Sequence, residues 1–271
     1  MNNIDFEKEG LKLDQNRVLT YSQLSCPLNC TYCFVEDINF NQQRRVPYLS
    51  EKQYQLITEL PKEISLIMLG CDTEFFQSKK NSLDILRKLI DLHKDISVIT
   101  KLELSNDFIK ELKEIDHELT KNGNLFSFSV SIPCMESAKE WEPKAPHPLK
   151  RIKTLKLAHQ AGIKTLVAIR PLLPNISVEE LSKIIEPTKD HCYGYYSGPL
   201  YLKNPDHLLI DKSVLKIEKL QPHWMPSGNI FYKIEKDGQL DLLKNLLDKH
   251  GKFLFEGAAE GIYYLKNHAK Y

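Results

Sequence analysis

Three closely spaced cysteines are the clearest candidates in this chain for residues that ligate a metal. They are Cys26, Cys30 and Cys33, in the spacing CxxxCxxC, and Tyr32 stands just before the last of them. Three thiolates can ligate three irons of a [4Fe–4S] cluster, whereas an electron-transfer cluster normally has four cysteine ligands. The fourth iron would then be open to a small molecule, which is how metal sites are built for chemistry.

Two other uses of the three cysteines stay open as alternatives. A structural zinc site needs four ligands, usually as two Cys/His pairs at short spacing. Cys71, the nearest further cysteine, has no such partner beside it. An ordinary electron-transfer cluster would need a fourth cysteine from another part of the chain. Both alternatives describe a non-enzymatic metal protein, which is a different class of function from an open cluster.

Cysteine usage and the first residues favour a reducing compartment. Six cysteines in 271 residues are too sparse for a disulfide framework. The polar start Met1–Asp5 lacks the apolar core of a secretory signal, and no run of about eighteen apolar residues is present to span a membrane. We predict a cytoplasmic protein with reduced thiols and no membrane partner.

Composition indicates a globular protein without a marked preference for nucleic acid. The chain is 42% hydrophobic and 27% charged, with a formal net charge of +1. Proteins that bind duplex phosphates usually carry a basic excess or a concentrated basic patch. DNA is therefore permitted as a partner but not indicated.

Short apolar runs alternate with longer amphipathic stretches, the pattern of β-α-β units around a parallel sheet. This repeat predicts an α/β fold, a partial (β/α)6 TIM-like barrel whose reactive groups gather at the C-terminal ends of the strands. We predict a single domain over residues 1–271, with a core of about 17–200 and a C-terminal extension of about 201–271. The predicted strands are Val18–Ser22, Ile64–Leu69, Ile96–Thr100, Phe126–Ser131, Lys164–Ile169 and Cys192–Ser197.

Several helix starts can be read directly from the sequence. Ser50–Gln53 and Ser177–Glu180 each place a hydroxyl three residues before a Gln or Glu, which predicts two capping boxes. Ser105 is predicted to open another helix, and Pro148–Ala161 a further one that stops at Gly162. The elements predicted in the extension are helices over Leu209–Leu220 and Gln239–His250 and a strand over Phe253–Phe255.

Polar residues recur where the predicted strands end, at the edge that carries the site in such a barrel. Gly70 would let the backbone approach a ligand closely, and the ammonium group of Lys101 could bind a carboxylate. By the strand period of two, Ser127, Ser129 and Ser131 share one face. The candidate cofactor-binding residues are Tyr32, Gly70, Thr73 (with Asp72 as an alternative), Lys101, Ser129 and Arg170.

The cysteine spacing, with an aromatic residue before the last cysteine, resembles the signature of the radical S-adenosylmethionine (radical SAM) enzymes. The resemblance implies that the methionine part of SAM chelates the open iron. One electron from the cluster would cleave SAM to a 5′-deoxyadenosyl radical, which would abstract hydrogen from an organic substrate. An electron donor such as flavodoxin or ferredoxin is implied as a partner.

Further stretches resemble spore photoproduct lyase and its uncharacterised relatives, radical SAM proteins of which the named member repairs a thymine dimer in DNA. The resemblance covers roughly residues 18–175. One departure is Phe34, where the lyase has a tyrosine, and the C-terminal part does not resemble the lyase. The stretches that carry it are Arg45–Tyr48, Gly70–Glu74, Thr100–Lys101, Phe126–Val130, Glu142–Pro143 with Pro146 and Arg151, and Ala161–Ile163.

Carried over by position, the resemblance implies roles for four residues. Thr73 would bind the amino group of SAM, and Lys101 and Ser129 would hold its carboxylate. Cys71 falls where the lyase has the cysteine that returns a hydrogen atom to the product radical. The alternative for Cys71 is a small buried packing residue, which is common for a free cysteine.

The sequence thus predicts a radical SAM enzyme that modifies a small molecule, nucleotide or peptide. Its cluster ligands would be Cys26, Cys30 and Cys33, and its catalytic residue Cys71. Two alternatives are kept: a lyase that repairs a DNA photoproduct, and a non-enzymatic iron–sulfur or zinc protein.

Overall fold

A computed structural model of the chain describes residues 3–21, 26–38, 49–207 and 212–268. Within these ranges the chain forms two sheets surrounded by helices. The strands are β1 (Leu11–Asp14), β2 (Arg17–Thr20), β3 (Leu66–Leu69), β4 (Asp95–Thr100), β5 (Phe126–Ser131), β6 (Lys164–Ile169), β7 (Gly194–Ser197), β8 (Leu200–Leu202), β9 (Leu215–Leu220), β10 (Phe231–Lys236) and β11 (Phe253–Phe255).

Helices follow most of the strands of the larger sheet, as β-α-β units require. They are α1 (Asn3–Lys8), α2 (Glu51–Thr58), α3 (Lys79–Ile90), α4 (Asn106–Lys121), α5 (Ala138–Trp141), α6 (Pro148–Gln160), α7 (Val178–Ile185), α8 (Gln239–Asp248) and α9 (Ala258–His268). Of the helices within the described ranges, none combines the length and the apolar character that crossing a bilayer requires.

The larger sheet has the order β1-β2-β3-β4-β5-β6-β7-β11. Only β1 runs antiparallel to its neighbour, and β2 to β7 and β11 are all parallel. The sheet ends at β1 on one side and at β11 on the other, so it is an open barrel. The prediction of an α/β fold with a partial barrel is confirmed, and the extension contributes the last parallel strand.

Most predicted elements are found with small shifts at their ends. All six predicted strands are present, although Ser22 lies outside the described residues, as does the stretch Arg45–Tyr48. Ser50 forms the predicted reciprocal capping box with Gln53. Helix α6 and strand β11 lie where they were predicted. The division of the chain near residue 200 stays a prediction.

Two local predictions are corrected. Residues 212–220 do not form the predicted helix: Lys212–Val214 is a short 3-10 helix and Leu215–Leu220 is strand β9, which pairs with β10. Its half-buried and exposed residues mostly alternate, which is the strand period. The box at Ser177 is only half formed: Ser177 caps α7, but the Glu180 carboxylate accepts from the backbone N–H of Met135 and of Ser137 instead.

The two faces of β5 show what fills the fold. Phe126, Phe128 and Val130 belong to the main hydrophobic core together with residues of α4 and α6. The alternate residues are serines, which the strand period places on the inner face. Polar inner positions of this kind suit a barrel whose interior leads to a ligand site.

Helix α9 packs against the inner face of the larger sheet at β6, β7 and β11. Its Ile262 and Leu265 cluster with Leu166 and Phe255 of the sheet, and Lys266 pairs with Asp95, the first residue of β4, at 2.8 Å. The helix therefore runs inside the open barrel from the C-terminal edge of the strands towards the N-terminal edge.

The smaller sheet, in the order β8-β10-β9, covers part of the C-terminal edge. Phe231 of β10 and the neighbouring Met225 cluster with Leu19 and Tyr21, at the end of β2. The extension thus contributes side chains to the edge where the reactive residues were predicted.

Candidate active site

A cavity of about 260 Å³ lies at the C-terminal edge of the larger sheet. Both the cysteine loop and the smaller sheet contribute to its walls. Every parallel strand reaches it through its last residues or through those that follow: Tyr21 after β2, Gly70 after β3, Lys101 after β4, Ser131 in β5, Arg170 after β6, Pro199 after β7 and Ala258 after β11. This is where an α/β barrel collects its functional groups.

The cavity brings together nine of the ten residues predicted to carry the chemistry. The tenth, Ser129, is fully buried in β5, and Ser131 lines the cavity instead. Contact with a cavity locates a residue without showing what it binds, so the assigned roles stay predictions. The nine residues are Cys26, Cys30, Tyr32, Cys33, Gly70, Cys71, Thr73, Lys101 and Arg170.

The cysteine loop is held by the segment that follows β5. The backbone N–H of Thr31 donates to the carbonyl of Trp141 at 2.9 Å, and the Thr31 hydroxyl donates to the same oxygen at 3.3 Å. The hydroxyl of Tyr32 donates to the carboxylate of Glu142. These bonds fix the orientation of the loop relative to β5.

Glu142 is the centre of a buried polar network. Neither its side chain nor that of Arg151 is exposed (0% each), and Arg151 Nη1 lies 2.6 Å from Glu142 Oε2. Lys101 Nζ lies 3.6 Å from Glu142 Oε1, and the Cys134 thiol donates to Oε2 at 3.7 Å. A buried carboxylate is tolerated only with partners of this kind. The network therefore joins the cysteine loop, through Tyr32, to β4 and α6.

Lys101 is a positioned cation on this side of the cavity. Its ammonium group donates to Ser131 Oγ at 2.9 Å and lies 5.7 Å from the centre of the Tyr32 ring. Together with the ion pair to Glu142, these contacts direct Lys101 towards the cysteine loop. We call Tyr32, Lys101, Ser131, Glu142 and the three loop cysteines the cysteine side.

The loop after β3 is fastened to the end of β4. The Glu74 carboxylate accepts from the backbone N–H of Lys101 and from the hydroxyl of Thr100, both at 2.8 Å. Burial raises the pKa of Glu74, although these hydrogen bonds favour its ionised form. Gly70 has φ +82°, and a Cβ there would lie 3.3 Å from the carbonyl oxygen of Ile99. Glycine therefore lets this loop lie directly against β4.

Cys71 lines the same cavity as a thiol. Its S–H group donates to the carbonyl of Met68 at 3.5 Å. Burial raises the pKa of Cys71 to about 12. The side chain is therefore protonated at neutral pH.

Aromatic residues surround Arg170 on another part of the wall. The guanidinium carbon of Arg170 lies 5.5 Å from the ring centre of Trp224. The rings of Tyr201 and Phe34 pack edge-on against Trp224, at 5.6 and 5.5 Å. The hydroxyl of Tyr21 donates to the carbonyl of Trp224 at 3.1 Å and holds the loop between β9 and β10 in place. We call Tyr21, Cys71, Arg170, Tyr196 and Trp224 the Arg170 side.

Ser129 offers a buried hydroxyl beneath the cavity. Within the described ranges its Oγ makes no hydrogen bond of good geometry, although it lies near the hydroxyl of Tyr196. Burial raises the pKa of Tyr196 to about 12. An unsatisfied buried hydroxyl is a group that a bound ligand can satisfy.

The donor set of the loop fits an iron–sulfur cluster, because cysteine thiolates are its usual ligands. Burial raises the pKa of Cys33 to about 11 and moves that of Cys30 in the same direction. Metal binding would displace these protons. In the part of the chain that the structure describes, no three His, Cys, Asp or Glu side chains already stand together as a metal site. The cysteines share a loop and a cavity rather than a preformed cage.

Sequence reasoning missed three residues of this site. Glu142 and Arg151 were noted only within a resemblance, and no sequence pattern shows that Glu142 pairs with Tyr32, Lys101 and Arg151. No sequence pattern placed Trp224 at the site, because it lies in a loop between two strands that were not predicted. The two tryptophans of the chain were the only available hint, since a tryptophan outside the core often lines a site.

Two uncharacterised proteins of Methanocaldococcus jannaschii are similar to this chain. The first is 26% identical over 193 residues, which cover 66% of this chain and 69% of that protein. The second is 26% identical over 204 residues, which cover 72% of this chain and 44% of that protein. The chain thus spans about two thirds of one relative and less than half of the other.

Solved structures share the fold. A spore photoproduct lyase structure superposes with a TM-score of 0.58 at 16% identity, over 83% of this chain and 72% of its own. SuiB of Streptococcus suis bound to S-adenosylmethionine gives 0.52 at 14%, over 73% and 44%. The methyltransferase TsrM of Kitasatospora setae, with cobalamin and a [4Fe–4S] cluster bound, gives 0.55 at 13%, over 91% and 56%.

The sequence profile of the radical SAM superfamily matches residues 21–187. The match spans more than half of the chain and includes the cysteine loop and the ends of β3 to β6. The chain therefore belongs to the radical SAM superfamily.

Proposed function

We propose that this chain is an enzyme that abstracts a hydrogen atom from an organic substrate and that Cys71 returns a hydrogen atom to the substrate-derived radical. The substrate would be a small molecule, nucleotide or peptide, and the reaction would be of the lyase or oxidoreductase type. The observation that supports this best is that Cys71 and the three loop cysteines line one cavity. A [4Fe–4S] cluster and SAM are the cofactors of the superfamily, and together they supply an electron and a hydrogen-abstracting carbon radical.

Cys26, Cys30 and Cys33 would hold the cluster. Tyr32 and Glu142 would keep the loop in place, because their hydrogen bond joins it to the buried network. Apolar side chains of the cavity, such as Leu28, would keep water from the site.

Lys101 and Thr73 would bind the methionine part of SAM. An ammonium group has three N–H donors, and Ser131 and Glu142 orient that of Lys101 towards the cysteine side. The Thr73 hydroxyl accepts from the side-chain amide of Gln77 at 2.7 Å, which fixes its direction. A carboxylate would pair with Lys101, with the Ser129 hydroxyl as a further donor.

Cys71 would act as a hydrogen-atom donor because it is a thiol. Its S–H bond would break homolytically, the hydrogen atom would pass to the substrate radical, and a thiyl radical would stay on Cys71. An electron and a proton from the protein's reductant, such as a reduced flavodoxin or ferredoxin, would restore the thiol. A pKa of about 12 keeps the transferable hydrogen in place at neutral pH.

Anaerobic reconstitution of the full chain tests the cofactor chemistry. We expect about four irons and four sulfides per chain, an EPR signal of the reduced cluster that changes when SAM is added, and 5′-deoxyadenosine after reduction with dithionite. One equivalent of zinc without sulfide, or a cluster indifferent to SAM, would contradict the proposal.

Hydrogen transfer from Cys71 can be tested without a known substrate. In D2O the thiol becomes S–D, so 5′-deoxyadenosine formed by unproductive SAM cleavage should carry deuterium from Cys71. We expect Cys71→Ala to lower the deuterated fraction several-fold, whereas the matched variant Cys192→Ala, at a buried thiol outside the cavity, should keep the wild-type fraction. Equal fractions in all three proteins would remove Cys71 from the reaction.

A DNA lesion is a more specific substrate, and the shared fold with spore photoproduct lyase is the observation in its favour. The near-neutral net charge of +1 argues against it. Binding to single- and double-stranded DNA should then be salt-dependent. An undetectable affinity at low salt would exclude this candidate.

A further inference from the structure

Arg170 is a cation in the cavity without an anionic partner in the part of the chain that the structure describes. Its guanidinium carbon lies over the face of Trp224, 5.5 Å from the ring centre. The carboxylate of Glu74, which also lines the cavity, already accepts from Thr100 and from the N–H groups of Lys101 and Phe76. Lys101, by contrast, is paired with Glu142 and Ser131.

Two glycines leave room for the guanidinium group. A Cβ at Gly198, directly after β7, would lie 3.1 Å from Arg170 Nε and 3.3 Å from Cζ. A Cβ at Gly257, after β11, would lie 3.8 Å from Nη1. Neither glycine has the positive φ that would require it for backbone reasons. The space at Gly198 therefore serves the side chain of Arg170.

Keeping an unpaired cation in this place is costly for the free protein. Arg170 is half-buried, and desolvation at this place lowers its pKa. A guanidinium group nevertheless stays charged in proteins. The desolvation penalty of Arg170 is therefore uncompensated until an anion binds. Such an arrangement is expected where a ligand supplies the missing charge.

Arg170 and Lys101 act on different thiols. Lys101 is the cation that bears on Cys30 and Cys33, where it opposes the effect of burial on their pKa values. The positive charge of Arg170 likewise opposes the effect of burial on the pKa values of Cys71 and Tyr196. The charge of Arg170 therefore influences the proposed hydrogen donor, whereas the charge of Lys101 influences the proposed cluster ligands.

We propose that Arg170 is a substrate-binding residue that pairs with a carboxylate or phosphate of the substrate, whose flat or apolar body lies among Phe34, Tyr201 and Trp224. This extends the proposed function, on which it rests, by naming the substrate class: an anion carried on an aromatic or apolar group. It replaces the sequence-based expectation that Arg170 holds SAM. The guanidinium fork suits the task because it donates two parallel hydrogen bonds to either anion.

Binding of matched probes to the reconstituted protein, with SAM present, tests the proposal by anaerobic calorimetry. The probes are N-acetylphenylalanine against its neutral amide, and thymidine 5′-phosphate against thymidine. A charge-assisted hydrogen bond is worth enough to favour the charged member of at least one pair by about tenfold or more. The pair that discriminates tells whether a carboxylate or a phosphate is recognised.

Three variants locate the effect. Arg170→Gln should reduce the preference for the charged probe to about one, and Arg170→Lys should keep only part of it, because a point charge lacks the fork. Gly198→Ala leaves the guanidinium in the chain but crowds it, so the preference should fall in a protein that retains Arg170. The matched control is Lys203→Gln, which removes a cation that lies over the Phe231 ring, outside the cavity; it should keep the wild-type ratio.

Two results would overturn the assignment. One is a wild-type protein that binds charged and neutral probes equally. The other is an Arg170→Gln variant that keeps the preference for the charged probe but has a higher dissociation constant for SAM. That result would assign Arg170 to SAM binding. The proposed function fails separately: a wild-type protein that makes no 5′-deoxyadenosine contradicts it, whatever the probes show.

Discussion

The cysteine side and the Arg170 side of the cavity differ in how their charges are balanced. On the cysteine side, Lys101 and Glu142 are paired with each other and with Ser131, Tyr32 and Arg151. On the other side Arg170 meets an aromatic face but, among the described residues, no carboxylate. A paired network holds its geometry before a ligand arrives, whereas an unpaired cation is completed by one. Under the proposed function, the cysteine side would position the cofactors and the Arg170 side would select the substrate.

The largest expected effect follows from removing a proposed cluster ligand on the cysteine side. Replacement of Cys26, Cys30 or Cys33 by Ala should abolish the cluster, because the proposed cluster has only these three protein ligands. Iron and sulfide analysis of reconstituted protein measures the result. The buried thiol Cys192 is the matched control, and Cys192→Ala should bind as much iron as the wild type. Retention of iron in all three loop variants would mean that the cluster is held elsewhere.

Loss of the central carboxylate should show the second-largest effect. Glu142→Gln leaves Arg151 buried without its counter-charge, so we expect the free energy of unfolding to fall by about 3 kcal/mol or more. Arg170 has no charged partner among the described residues, so Arg170→Gln should change the free energy of unfolding little. Denaturant unfolding of the cluster-free protein gives both values.

Glu140→Gln is the control for the carboxylate prediction, because Glu140 is an exposed acid of the short helix α5, which Glu142 directly follows. It should change stability by no more than about 0.5 kcal/mol. If Arg170→Gln proves as destabilising as Glu142→Gln, the two sides are not balanced differently and the comparison fails.

The smallest expected effect is a flat pH profile at Cys71. A raised pKa of about 12 means that the thiol keeps its proton as the pH rises from neutral towards the alkaline range. A thiol of ordinary pKa, about 8.5, would instead be largely ionised at a pH of about 9. The deuterated fraction of 5′-deoxyadenosine should therefore stay constant over this range. A fall with a midpoint near the ordinary value would show that the pKa of Cys71 is not raised.

Much of the positioning framework could be predicted from sequence, because it depends on local patterns. Short apolar runs locate β3 to β6, and a polar residue directly after a parallel strand must lie at the common edge. Lys101 and Arg170 were placed at the cavity in this way. Ser129 and Ser131 show the limit: both lie on one face by period, and only the depth of β5 in the fold decides which one lines the cavity.

The remaining parts depend on contacts between distant segments. Glu142 meets Tyr32 across 110 residues of sequence, and no single-chain pattern encodes that pair. The segment Leu215–Leu220 has apolar residues that fit both periods, so pairing with β10 decides its structure. Trp224 lies in the loop between β9 and β10, so its place at the site could not be predicted without the smaller sheet. The charge balance of the two sides is a tertiary property for the same reason.

Helix α9 has a consequence for the size of molecule that the site can admit. Ala258 begins the helix at the bottom of the cavity, and Lys266 secures its other end to Asp95. The bottom of the cavity is therefore formed by a helix that is separate from the strands carrying the proposed functional residues. A larger residue at position 258 would make the cavity shallower, and glycine would make it deeper, while the cysteine loop, Lys101 and Arg170 keep their places. One fixed set of site residues can in this way accommodate ligands of different length.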